Sequence, residues 1–158
     1  MTPEALVFSV LRERGLTLST AESCTGGLIA KRMTDLAGAS QVFLGGVVSY
    51  TNGVKAAVLG VPQTLLAEFG AVSEPVARAM AEGVRRITGS AFGVSVTGVA
   101  GPSTDERGNP VGTVYIACSG ESGTVCRLFR FGALSRAEIR ERAANAAFDM
   151  VYSALASK

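Results

Sequence analysis

Residues 73–97, SEPVARAMAEGVRRITGSAFGVSVT, constrain this chain more than any other stretch. Val76, Met80, Val84 and Ile87 recur at helical spacing and predict one apolar stripe on a helix over 74–88. Ser73 stands at the cap position and Pro75 just inside the first turn, where its missing N–H costs nothing. AFGVSVT, 91–97, then switches to a valine-rich strand. A helix with one apolar stripe beside an apolar strand has to be buried against a sheet, which predicts a layered α/β domain.

The remaining segments extend that plan. Residues 3–14 read as a helix with Ala5, Leu6, Val10 and Leu11 on one face and Gly15 as the stop. A short strand over 16–21 leads into a helix capped by Thr25 or Ser23, which runs to about Leu36 and ends at AGAS. VFLGGVVSYT, 42–51, is a strand whose central glycines signal a bulge or a close backbone approach. NGVKAAVLG turns into a short helix, and Pro62 opens another over 62–69 that closes at Gly70. VGTVYIACSG and GTVCRLFRF form a hairpin around Gly120 to Gly123. A closing helix over 135–156 starts with a capping box, Ser135 to Glu138. No repeat, linker or low-complexity tract interrupts the chain, so residues 1–158 read as a single three-layer α/β/α domain with a mixed β-sheet. The strand order stays open.

Composition excludes several function classes. The net charge is +2, and no Lys/Arg run or basic-aromatic interleaving signals a nucleic-acid groove. No apolar run approaches the roughly 20 residues needed to cross a bilayer. The first fifteen residues, with Glu4 near the start, read as an amphipathic helix and not as a signal peptide. Cys24, Cys118 and Cys126 are odd in number and lack metal-ligand spacing, so a disulfide scaffold is disfavoured and the expected compartment is the cytosol. Cys118 and Cys126 read as buried strand residues. Without histidine or a CxxC pair, zinc is not expected. The thirteen Asp and Glu residues leave a carboxylate magnesium site open.

The chemistry concentrates in STAESCTGGL, 19–28. Hydroxyls, a thiol and a Gly26-Gly27 pair stand at a strand-to-helix turn, where exposed amides can hold a phosphate or an oxyanion. The stretch is neither a Walker loop nor a G-x-S-x-G elbow, and a plainly capped helix start would read the same way. The chain has no histidine to activate Ser23 or Cys24. A desolvated lysine can do so, and there are only three: Lys31, Lys55 and Lys158. Lys158 is terminal and Lys31 sits mid-helix beside Arg32, on an expected solvated face. Lys55 lies just after SYTNG, between a strand end and a helix start, although by itself it reads equally as a surface lysine. Tyr50 could relay a proton or bond a substrate, or be a strand-end aromatic with a wet hydroxyl. Residues 95–114 form a long Gly/Pro loop of a length often tied to function, with Thr97, Gly98 and Gly101 where it begins. Arg136 and Arg140 share a helix face that would suit a phosphate or carboxylate, or simply pair with Glu138 and Glu141.

Taken together, TAESCTGG, SYTNGVK, GAVSEP and TGVAGP followed by PVGTVYIA resemble the C-terminal domain of CinA proteins, from about residue 3 to 155. The resemblance implies a serine amidohydrolase that deamidates nicotinamide mononucleotide (NMN) in pyridine-nucleotide salvage. It places the nucleophile on Ser23, its base on Lys55 and the family's tyrosine on Tyr50. Substrate-binding roles fall on Cys24, Thr25, Gly26, Gly27, Thr97, Gly98, Arg140 and Arg136. It implies no cofactor, in line with the absent metal signature, and a homodimer, for which VFLGGVVSY or the last helix could supply the contact; composition adds the expectation of no nucleic-acid and no membrane partner. The chain departs from the family pattern at STDERGN after AGP, at Asn109, where a lysine is common, and in GALSR before the last helix. These departures keep a second expectation alive, a catalytically weak nucleotide-binding or regulatory module linked to competence. Cys24 as nucleophile is a third.

Overall fold

A computed structural model describes residues 1–157; the terminal Lys158 lies outside the described residues. Five strands form one sheet in the order β2-β1-β3-β4-β5: β1 Leu18–Glu22, β2 Phe43–Val48, β3 Phe92–Gly98, β4 Thr113–Gly120 and β5 Gly123–Arg130. β1 runs parallel to both β2 and β3, while β3–β4 and β4–β5 are antiparallel, so the sheet is mixed as expected. Leu18 pairs with Phe43 but Ser19 with Gly45, so Leu44 is an extra residue in β2, the bulge its glycines signal.

Helices cover both faces. α1 (Pro3–Arg14), α2 (Leu28–Thr34) and α6 (Arg136–Ala156) share the larger core, in which Leu11, Ile29, Met33, Ile139 and Phe148 pack against Leu18, Val94, Val96 and Ile116. The opposite face carries α5 (Glu74–Thr88), with α3 (Asn52–Ala57) and α4 (Gln63–Phe69) beside it, around Leu59, Leu66, Val76, Met80 and Val84. Gly93 of β3 lets α5 approach closely: a Cβ there would stand 2.5 Å from the Ala81 carbonyl oxygen.

Several local expectations are corrected. The buried face of α1 is Val7, Phe8 and Leu11, and Leu6 is exposed, because packing beside α6 selects the stripe that carries the aromatic ring. In α5, Val76, Met80 and Val84 are buried but Ile87, in the last turn, is half-exposed. Ser73 does cap α5 by position, but its hydroxyl donates to the Gly70 carbonyl instead of bonding the helix. Pro62 precedes α4 as its cap and is not in its first turn. Cys118 is buried, whereas Cys126 on the edge strand β5 is only half-buried. Ser135 caps α6, accepting from the Glu138 amide at 3.2 Å as the capping box predicts.

The topology determines where a site can form. The chain leaves β1 to build β2 on one side and later β3 on the other, so strand order reverses beside β1. In open α/β sheets such a switch point opens a crevice at the carboxyl ends of the strands. Ser23 is the first residue beyond the carboxyl end of β1.

Candidate active site

At the end of β1 the Ser23 amide still donates to Val96 O, at 2.9 Å, which ties the backbone of this residue to the sheet. Beyond it the chain turns sharply. Gly26 N bonds Ser23 O at 3.1 Å, and Gly26 and Gly27 take positive φ of 60° and 103°, which other residues adopt only under strain. Helix α2 then starts with Gly27 at the cap position and no hydroxyl cap, which corrects the expectation that Thr25 or Ser23 caps it.

The cap is Glu22, a residue passed over in the sequence. Its carboxylate is 1% exposed and accepts from Ile29 N at 2.9 Å and Ala30 N at 3.0 Å. An anion on the positive end of the helix offsets its own desolvation. The helix N-terminus is therefore already occupied, and an incoming oxyanion has to use amides of the turn itself. Gly26 N and Leu28 N are spent within the turn, whereas Cys24 N and Thr25 N donate to no backbone carbonyl among the described residues. The signal in the sequence was a lone Glu at the end of an otherwise uncharged strand. Such a group has to find charged or N–H partners. Glu22→Gln puts an NH2 group against one of those amides, and we expect it to lower unfolding free energy by about 1–3 kcal/mol in urea melts. An unchanged midpoint would count against this account of the turn.

Lys55 comes from α3, whose first turn is capped by Thr51 through Val54 N at 3.4 Å. It is 1% exposed, and is not the surface lysine its sequence position also allowed. Its Nζ lies 2.9 Å from Ser23 Oγ and 2.7 Å from Ser49 O. No carboxylate forms an ion pair with it among the described residues. Burial without a counter-charge pulls its pKa down from 10.5 to about 8. Near neutral pH about a tenth of such lysines is a free amine, placed to accept the Ser23 proton. The neighbouring Cys24 behaves oppositely: burial, reinforced by Glu22, pushes its thiol up to about 12, so it stays a protonated thiol. Lys31, by contrast, is exposed and pairs with Asp35 at 2.8 Å, on the expected solvated face.

The dyad opens into a cleft of about 800 Å³ at the carboxyl ends of β1, β2 and β3. Ser23, Cys24, Tyr50, Lys55, Thr97, Gly98 and Arg136 all line it, as does the loop from Val99 to Arg107. Tyr50 is 55% exposed at the rim, and its hydroxyl accepts from Arg136 Nη2 at 2.6 Å. Arg136 Nη1 donates to Gly101 O at 2.6 Å. The Thr97 hydroxyl is committed to Ala71 O at 2.8 Å. Thr25, Gly26, Gly27 and Arg140 do not line the cleft. Arg140 reaches the turn from behind, donating from Nη2 to Thr25 O at 2.9 Å, and Gly26 leaves room for it, since a Cβ there would stand 3.1 Å from that nitrogen. Arg136 and Arg140 leave one helix in the same direction but end at different places. Among the described residues no group of three or more His, Cys, Asp or Glu side chains is placed to hold a metal.

Comparison with known proteins agrees with this architecture. A CinA-like protein of Geobacter sulfurreducens is 53% identical over 130 residues, covering 82% of this chain and 32% of its own length. The chain thus spans about a third of the length of the curated relatives it matches. The crystal structure of the competence/damage inducible protein CihA from Agrobacterium tumefaciens superposes with a TM-score of 0.90 at 41% identity, covering 97% of this chain and 94% of that one. A CinA superfamily protein from Klebsiella pneumoniae gives a TM-score of 0.95 at 30% identity, with both chains fully covered. The family model described as the CinA C-terminal domain matches residues 2–155, and the chain belongs to that family.

Proposed function

We propose that this domain is a serine amidohydrolase in which Ser23 is the nucleophile and Lys55 its base, and that it converts NMN to nicotinate mononucleotide and ammonia. One observation carries the reading: a buried lysine with a depressed pKa stands 2.9 Å from a serine hydroxyl that opens into a cleft. Among the described residues Lys55 pairs with no carboxylate, and it is 1% exposed, the setting that favours a neutral amine.

In the proposed reaction neutral Lys55 takes the Ser23 proton as Oγ attacks the carboxamide carbon. The amide of Cys24, which lines the cleft and donates to no backbone carbonyl among the described residues, receives the oxyanion. The ammonium form of Lys55 then returns the proton to the departing nitrogen, and the C–N bond breaks to release ammonia. Water, deprotonated by the same amine, cleaves the ester, giving nicotinate mononucleotide and restoring Ser23. Water supplies the only other atoms, and no redox partner is needed. The cleft is large enough for a mononucleotide, and Arg136 and Tyr50 at its rim offer N–H and O–H groups to ribose or phosphate. In this reading the enzyme serves pyridine-nucleotide salvage in the cytosol. Leu44 and Val48, both about half-exposed on the open edge strand β2, support a homodimer. Light scattering is expected to give twice the chain mass.

The test is ammonia and nicotinate mononucleotide measured together from NMN. Equal amounts of both are expected. NMN that binds in a titration but is never cleaved would replace this reading with that of a nucleotide-binding module. NMN that neither binds nor reacts would remove the substrate assignment.

A further inference from the structure

The loop after β3 supplies a large part of the cleft wall, from Val99 to Arg107. It is held together from within by Asp105, whose Oδ1 accepts from Arg107 N at 3.1 Å and Asn109 N at 2.7 Å, and whose Oδ2 accepts from Asn109 Nδ2 at 2.7 Å. At its start Arg136 holds Gly101 O. At its tip Arg107 crosses to the opposite wall. There its Nη1 donates to Glu68 O at 2.8 Å and its Nη2 to Ala67 O, two carbonyls in the last turn of α4.

Two features make that crossing specific. The carboxyl end of a helix carries the negative end of the peptide dipoles, so a guanidinium is favoured there. Gly70, which follows α4 and lines the cleft, leaves the space: a Cβ on it would stand 2.7 Å from Arg107 Nε and 2.8 Å from Cδ. The arginine thus joins the α4 wall (Leu66, Gly70, Ala71) to the loop wall across one side of the cleft.

Resting on the amidohydrolase reading, we infer that Arg107 is a specificity-determining latch. By tying the 102–109 loop to α4 it presets the width of the cleft for the part of the substrate beyond the scissile amide, and takes no part in the chemistry at Ser23. Without the latch, the closed wall becomes one of several loop conformations, and apparent affinity falls by the fraction that remains closed. A guanidinium on exposed helix carbonyls can bias such an equilibrium by about three- to tenfold. A lysine would supply the charge but serve one carbonyl at a time, so it rescues only in part.

The experiment compares wild type, Arg107→Lys and Arg107→Ala in two independent readouts. Hydrogen exchange at the Arg107 and Asn109 amides reports the latch without any substrate. Steady-state kinetics with NMN report its effect on binding. For Arg107→Ala we expect exchange at those amides to quicken about three- to tenfold, KM to rise by a similar factor and kcat to stay within about twofold, with Arg107→Lys between. Unchanged exchange would show that Arg107 latches nothing. Faster exchange with an unchanged KM would show that the latch does not shape the binding site, and a fall in kcat alone would move Arg107 into the chemistry. If wild type itself releases no ammonia from NMN, the amidohydrolase reading fails; the exchange result then decides the latch by itself.

Discussion

Ser23→Ala is expected to reduce ammonia release from NMN by about 10⁴-fold or more, leaving NMN affinity within about threefold of wild type. The size of the effect follows from what remains in the cleft. Removing Oγ leaves no other nucleophile of useful reactivity. Cys24 is adjacent and lines the same cleft, but its thiol is pushed up to about 12 and is a thiolate in only a minute fraction at neutral pH. The change is small in every other respect, because the Ser23 amide bond to Val96 and the Glu22 cap are made without the hydroxyl. The measurement is initial rate against a titration of NMN binding, with Cys24→Ala alongside. If Cys24→Ala were the inactive variant and Ser23→Ala kept its rate, the nucleophile would have been assigned to the wrong neighbour.

Lys55→Met is expected to reduce turnover by about 10³-fold, with a second, opposite signature in stability. The folded pKa of Lys55 lies below its unfolded value, near 8 against 10.5. Below pH 8 both states carry the charge, and the folded protein bears the full cost of burying it. Between about 8 and 10.5 the folded state has released the proton while the unfolded state still holds it. Stability therefore rises with pH through this window. Relative to Lys55→Met, wild type is expected to gain roughly 2 kcal/mol of unfolding free energy between pH 7 and pH 10. Urea melts of both proteins at the two pH values measure it. A flat difference would mean that Lys55 is not a desolvated amine, and its role as base would go with it.

The layers of this fold were readable from periodicity because they depend on short-range spacing. The 3.6-residue stripe of 74–88, the glycine stops at Gly15 and Gly70 and the Ser135 box each specify an element locally. Strand order was not readable, because it depends on which apolar faces meet across the chain. The true face of α1 escaped for the same reason, since the partner that selects it, α6, lies more than a hundred residues away. At the site, the absence of histidine singled out Lys55 as the best available base, and resemblance joined it to Ser23. No local pattern reveals that Lys55 is 1% exposed or that Ser49 O holds its amine. Glu22 and Arg107 were missed because each acts on backbone amides or carbonyls, which carry no residue identity to read. Arg140 was expected at the ligand, and its position behind Thr25 depends on how α6 packs against the turn.

The central claim, that a neutral Lys55 makes Ser23 nucleophilic, can be tested without knowing the substrate. Purified protein is treated with a small sulfonyl fluoride from pH 6 to 10, and the modified residue is located by peptide mass. The account predicts modification at Ser23, at a rate that rises about tenfold per pH unit and levels off near pH 8, where Lys55 loses its proton. It predicts almost none in Lys55→Met. A label on Ser23 that forms equally fast in Lys55→Met, or whose rate ignores pH, would contradict it.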